Sequence, residues 1–155
     1  MALKEGSKAP DLNIETDTGE TLKLSSLIGK NVVLYFYPKS DTPGCTVEAC
    51  EFRDSTPAYT AANAVVIGIS PDVVKKQAKF REKFELPFNL LADVDHAAAE
   101  KYGVWVEKSM YGKKYMGVER STFLIDKAGK IARIFSKVKP AGHAQEVLDA
   151  LATIP

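Results

Sequence analysis

The chain has 155 residues, 45% hydrophobic and 26% charged, with 21 lysines and arginines against 20 aspartates and glutamates. That length and composition fit one globular domain, residues 1–155, with a core of its own, and do not fit disorder. A formal net charge of +1 gives no basic excess for nucleic acid or an anionic membrane surface.

Residues 1–10 lack the apolar core of a signal peptide, and nowhere do about eighteen apolar residues run together, so a cytoplasmic protein without a membrane span is expected. Residues 12–16 and 21–24 alternate around the turn-like Asp17-Thr18-Gly19-Glu20, which predicts an opening hairpin. Residues 25–30 read as one helical turn ended by Gly29. The β-branched and aromatic run Val32 to Tyr37 predicts a buried strand. Breakers follow, with Thr42 as a helix cap, Pro43 at the first helical position and a helix onward to Tyr59. A capping Thr42 engages its hydroxyl oxygen with a backbone N–H. Residues 64–70 form a second strand, so strand, helix and strand make a parallel βαβ unit.

Val73, Val74, Ala78, Phe80 and Phe84 mark the apolar side of a helix ending near Lys83. A short strand at 88–91 and a short helix from His96 to Tyr102 come next. Residues 104–119 show no clear period, and the basic, aromatic stretch 108–115 reads as a solvated loop. Residues 121–125 and 131–135 flank a glycine-bearing turn and predict a hairpin, and 144–154 predict a final helix carrying Val147, Leu148 and Leu151 inward. Trp105 and the tyrosines read as packing, and His96 and His143 as exposed helix starts. These elements predict an α/β fold of thioredoxin-like topology, a central mixed sheet flanked by helices with an N-terminal hairpin; a flavodoxin-like sheet is the alternative.

Both cysteines, Cys45 and Cys50, lie in the predicted helix after the first buried strand. Unpaired N–H groups and the macrodipole favour an anion at a helix N-terminus, which biases a thiol there toward thiolate. In a reducing compartment a close cysteine pair is more often catalytic or redox-active than structural. Two cysteines and two distant histidines lack metal-ligand spacing, so neither metal nor cofactor is expected.

Pro38, Thr42 and Cys45 stand as P-x-x-x-T-x-x-C, which resembles the peroxidatic signature of the peroxiredoxins. Cys50, the wording Tyr35-Phe36-Tyr37-Pro38-Lys39 and Thr42-Pro43-Gly44-Cys45-Thr46, and the blocks 111–117 and 120–126 resemble the PrxQ class, also called bacterioferritin comigratory protein. Ser40-Asp41 departs from the class, many members of which carry Asp and then a neutral residue. The resemblance implies a monomeric peroxidase acting on hydrogen peroxide and organic hydroperoxides. It makes Cys45 the nucleophile and Cys50 the resolving cysteine. Thr42 and Arg120 contact thiolate and peroxide, Pro38 shields the site, and Glu48 links the polar network. A thioredoxin-type dithiol is the implied reductant.

Chemistry narrows what such a site must supply. Lowering a thiol pKa from about 8.5 to about 6 raises its thiolate fraction at pH 7 roughly 30-fold, but a Brønsted slope of about 0.4 to 0.5 takes back about tenfold. Selectivity for peroxide therefore needs positioned donors and a fixed cation, the types Thr42 and Arg120 provide. On an ideal helix, residues five apart have Cα atoms about 8.7 Å apart, beyond the roughly 7 Å limit of a disulfide, so joining Cys45 to Cys50 requires local unwinding. From the residues alone, two other functions stay open. One is a general thiol-disulfide oxidoreductase, against which the absence of C-x-x-C argues, and the other a binding module whose cysteines sense oxidation.

Overall fold

Strand β3 (Asn31–Phe36) is buried at every position, and its alternating side chains feed two cores. In the computed structural model, which describes residues 3–154, it lies at the centre of a five-stranded sheet. With β4 (Ala64–Ser70), β5 (Leu90–Ala92), β8 (Ser121–Ile125) and β9 (Ile131–Phe135), the order is β5-β4-β3-β8-β9. β3, β4 and β5 are parallel; β8 runs antiparallel to β3, and β9 to β8. This is the expected mixed sheet. An antiparallel β8 is incompatible with the flavodoxin-like alternative, whose ladder is parallel throughout.

The period of two in β3 sorts its side chains between faces. Val33 and Tyr35, with Tyr37 beyond the strand end, meet Cys45, Phe52 and Tyr59 of α1 (Pro43–Ala61), Phe80 of α2 (Val74–Phe84) and Val147 of α4 (His143–Leu151). Val32, Leu34 and Phe36 meet Ala98 and Ala99 of α3 (Ala97–Lys101), together with Leu12 and Leu24. The opening hairpin is present as β1 (Asn13–Glu15) and β2 (Thr21–Lys23), followed by a 3-10 turn at Leu24–Leu27. No helix among the described residues is long and apolar enough to cross a membrane.

Three expectations need correcting. The stretch 108–115, expected as a loop, lies within a hairpin of β6 (Trp105–Met110) and β7 (Lys113–Val118), turned at Tyr111-Gly112 with both residues at positive φ. Most of its side chains are exposed on both faces, so no hydropathic alternation betrays it. Val73 is not on the inward side of α2 but is exposed, whereas Gln77 is fully buried there. His143 is not exposed either: it is buried, with its ring set edge-on to Phe52 and Phe135.

Candidate active site

β3 ends at Phe36, residues 37–42 turn outward, and α1 begins at Pro43, which puts Cys45 in the first helical turn. Its thiol is buried at the C-terminal end of the parallel strands, where α/β sheets present their chemistry. Thr42 occupies the cap position with extended backbone, but its hydroxyl donates to the Lys39 carbonyl at 2.8 Å and accepts nothing from the helix N–H groups. The expected bond from a helix N–H to the Thr42 hydroxyl oxygen is absent, and that oxygen keeps its lone pairs. Pro38 is half-buried in the same turn.

Arg120 reaches this site because β8 is antiparallel to β3. Ser121 pairs with Phe36, so the residue before β8 falls at the sheet end from which the Cys45 loop departs. Its backbone carbonyl accepts from the Val138 N–H at 2.9 Å, which fixes its height. The guanidinium then bridges two groups on α1: Nη2 donates to Cys45 Sγ at 3.2 Å and Nη1 to Glu48 Oε1 at 2.7 Å. Cys45 and Glu48 are three residues apart and therefore share one face of the helix. Gly44 supplies the clearance, since a Cβ there would stand 3.2 Å from Arg120 Nη2 and 3.4 Å from Pro140 Cγ.

Arg120 thus touches both other members of this cluster. Burial pushes the Glu48 carboxyl up to about 7 despite the opposing pull of Arg120, and its Oε2 has no hydrogen-bond partner. Burial alone would lower the pKa of Arg120, but Glu48 and Cys45 outweigh it and raise it, so the cation is permanent.

The AhpC/TSA family model matches residues 6–134. The chain belongs to the AhpC/TSA family. Within it, this is a peroxiredoxin of the PrxQ class. It is 54% identical over 151 residues to peroxiredoxin Bcp of Bacillus subtilis, covering 97% of this chain and 96% of that one. To peroxiredoxin Bcp of Escherichia coli K12 it is 45% identical over 149 residues, 96% of each. A solved mutant of PrxQ from Xylella fastidiosa superposes with a TM-score of 0.93 at 35% identity, covering 98% and 97%. The bacterioferritin comigratory protein of Xanthomonas campestris, studied for alkyl peroxide reduction, gives 0.90 at 38% identity, covering 96% and 98%. These neighbours share the thioredoxin-like fold.

In this peroxiredoxin, Cys50 is half-buried on the same unbroken helix as Cys45, and both thiols are free. The six residues expected at the site do not all converge in one set of contacts: Cys45, Glu48 and Arg120 are joined directly, whereas Thr42 and Pro38 sit in the preceding turn and Cys50 lies five residues on. Ser40 and Asp41, the departure from the class, have separate partners. Asp41, at φ 59°, pairs with Lys83 of α2 at 2.9 Å. Ser40 is held from two sides, its N–H donating to Asp72 at 2.7 Å and its hydroxyl to Gln77 Oε1 at 2.7 Å.

Gln77 organises the turn and has no counterpart in the sequence reading. Its Oε1 also accepts from the Tyr37 hydroxyl at 2.6 Å, while its Nε2 donates to Ser70 Oγ and the Leu91 carbonyl. A buried amide with this many partners is fully satisfied and rigid. The overlooked hairpin contributes Lys108, whose stem lies along Gly117. Burial, then Arg120, lowers the pKa of its ammonium, which also lies in the field of Cys45.

Proposed function

We propose that Cys45 is the peroxidatic nucleophile of this thiol peroxidase, Cys50 its resolving partner, and Arg120 the cation that selects peroxide. The observation that carries this is the Arg120 bridge between the Cys45 sulfur and buried Glu48. A thiolate held on a guanidinium has a fixed trajectory, and the same cation lies where charge grows on the leaving oxygen.

The Cys45 thiolate attacks one peroxide oxygen; the S–O bond forms as the O–O bond breaks, and the other oxygen leaves as water or an alcohol after taking a proton. Thr42, its oxygen clear of the helix, accepts a hydrogen bond from the peroxide O–H, and Pro38 shields the thiolate from solvent. The Cys50 thiolate then attacks the sulfenic sulfur, forming the Cys45–Cys50 disulfide and expelling hydroxide, which leaves as water. Because both residues are helical when reduced, the first turns of α1 unwind to allow this step. With no third cysteine in the chain, a thioredoxin-type dithiol returns the disulfide to thiols. The substrates are hydrogen peroxide and organic hydroperoxides. Resolution within one chain lets a monomer complete the cycle, and a reducing cytoplasm is the compartment that suits it.

Stopped-flow oxidation of the reduced protein, wild type beside Cys50→Ser, with mass spectrometry of the products, tests this. A fast first phase in both, ending in a disulfide in the wild type and a Cys45 sulfenic acid in the variant, is expected. Reaction no faster than a free thiol in both would refute it.

A further inference from the structure

The turn that leads to Cys45 and the outer face of α2 enclose an open groove of about 690 Å³ that the peroxide chemistry does not use. Lys76, Lys79 and Lys83 project along it at helical spacing, and Lys39 faces them from the turn, all four exposed. Only two carboxylates line it, Asp41 and Glu82, and Asp41 is engaged by Lys83. No carboxylate among the described residues lies within ion-pair distance of Lys39, Lys76 or Lys79. On a chain of net charge +1, this is a local excess of positive charge.

Two structural features give the patch a use. It ends at Asp41, one residue before Thr42, so it adjoins the segment that carries the disulfide after turnover. It is also anchored apart from that segment: Ser40 is tied to Asp72 and Gln77, and Asp41 to Lys83, without any bond to residues 43–50. The anchors of Ser40 and Asp41 therefore do not depend on the first turns of α1.

We infer that the lysine-lined groove is the docking face for the reductant, a dithiol protein with acidic side chains around its thiols. This rests on the reading that a protein dithiol recycles Cys45–Cys50. The partner's thiolate attacks one sulfur of the disulfide, forming an intermolecular S–S bond and releasing the other cysteine as a thiolate, which takes up a proton. The partner's second thiolate then displaces the remaining cysteine; two electrons pass to this chain, and the partner departs as its own disulfide. The lysines hold no reacting atom, and act by steering and orienting an oppositely charged surface.

The test compares wild type with a Lys76→Glu/Lys79→Glu double variant, neither position belonging to the catalytic cluster. Each is first oxidised to the disulfide by hydrogen peroxide, then reduced either by a bacterial thioredoxin of net negative charge or by dithiothreitol. Charge reversal is expected to slow thioredoxin about tenfold at low ionic strength, with the gap closing at high salt, while the peroxide step and dithiothreitol reduction are unchanged. Equal rates with thioredoxin, equal slowing with both reductants, or no reduction of the wild type by thioredoxin would each overturn the proposal. So would loss of binding to anionic lipid vesicles with thioredoxin kinetics unaltered, which would assign the patch to a membrane surface. Failure of the disulfide to form at all would instead strike the underlying reading of Cys45 and Cys50.

Discussion

Arg120 Nη2 lies 3.2 Å from Cys45 Sγ although 75 residues separate them in the chain, and the antiparallel pairing of β8 with β3 is what brings them together. The guanidinium's other arm holds Glu48, whose side chain is fully buried, so the state of one carboxyl sets the charge beside the Cys45 sulfur.

On the proposed mechanism, Glu48 should shape the pH dependence of peroxide reduction. With its carboxyl pushed up to about 7, it is neutral at lower pH and anionic above, where its charge opposes the negative charge accumulating on the leaving oxygen. Gln mimics the neutral form. In stopped-flow measurements, Glu48→Gln should match the wild type below about pH 6 and exceed it above pH 8, the ratio of the two rates changing around pH 7.

The same shift sets a stability difference. A carboxyl whose pKa rises from 4.5 unfolded to about 7 folded binds its proton more tightly in the native state. Stability from that proton is complete below about pH 4.5 and is lost as pH rises through 7. Urea unfolding should show Glu48→Gln gaining on the wild type between pH 5 and pH 8, by on the order of 3 kcal/mol.

Gly44 is a place where activity and stability should part. It lies in the first turn of α1 without positive φ, so Ala suits the helix better, yet its Cβ would press on Arg120 Nη2 at 3.2 Å. Gly44→Ala should leave the thermal midpoint unchanged or slightly raised while slowing Cys45 oxidation by about tenfold, the scale of a modest misplacement of a catalytic group.

Oxidation should melt the helix that carries it. Amide exchange in residues 45–50 is expected to be slow in the reduced protein and at least about tenfold faster once the Cys45–Cys50 disulfide has formed, with β3 and α4 unaffected. Retained protection across those residues in the disulfide form would contradict unwinding.

Much of this was legible in the sequence. Apolar runs at 32–37 and 64–70 stand out because both faces of the sheet are covered at its parallel centre, and Thr42-Pro43 marks the start of α1 because proline fits a first helical turn. Arg120, by contrast, could be singled out only through family likeness, since a cation 75 residues away has no local signal. The β6–β7 hairpin escaped because Lys113 to Met116 are exposed on both faces, leaving no period of two. His143 is buried through long-range partners, Thr122 at 2.7 Å and the rings of Phe52 and Phe135, and nothing in Gly142-His143 announces them. Gln77 was hidden for a related reason: a polar residue on an otherwise apolar helix side looks like an interruption until its partners are seen.

The most direct test of the Arg120 clamp compares two reagents on one thiol. Reduced Arg120→Lys keeps the charge but loses the planar fork that reaches Cys45 and Glu48 together. Its rates with hydrogen peroxide and with iodoacetamide are measured against the wild type. If the guanidinium selects peroxide, the peroxide rate should fall by about a hundredfold or more while alkylation changes by less than about tenfold. Parallel loss of both rates, or loss of neither, would contradict the claim.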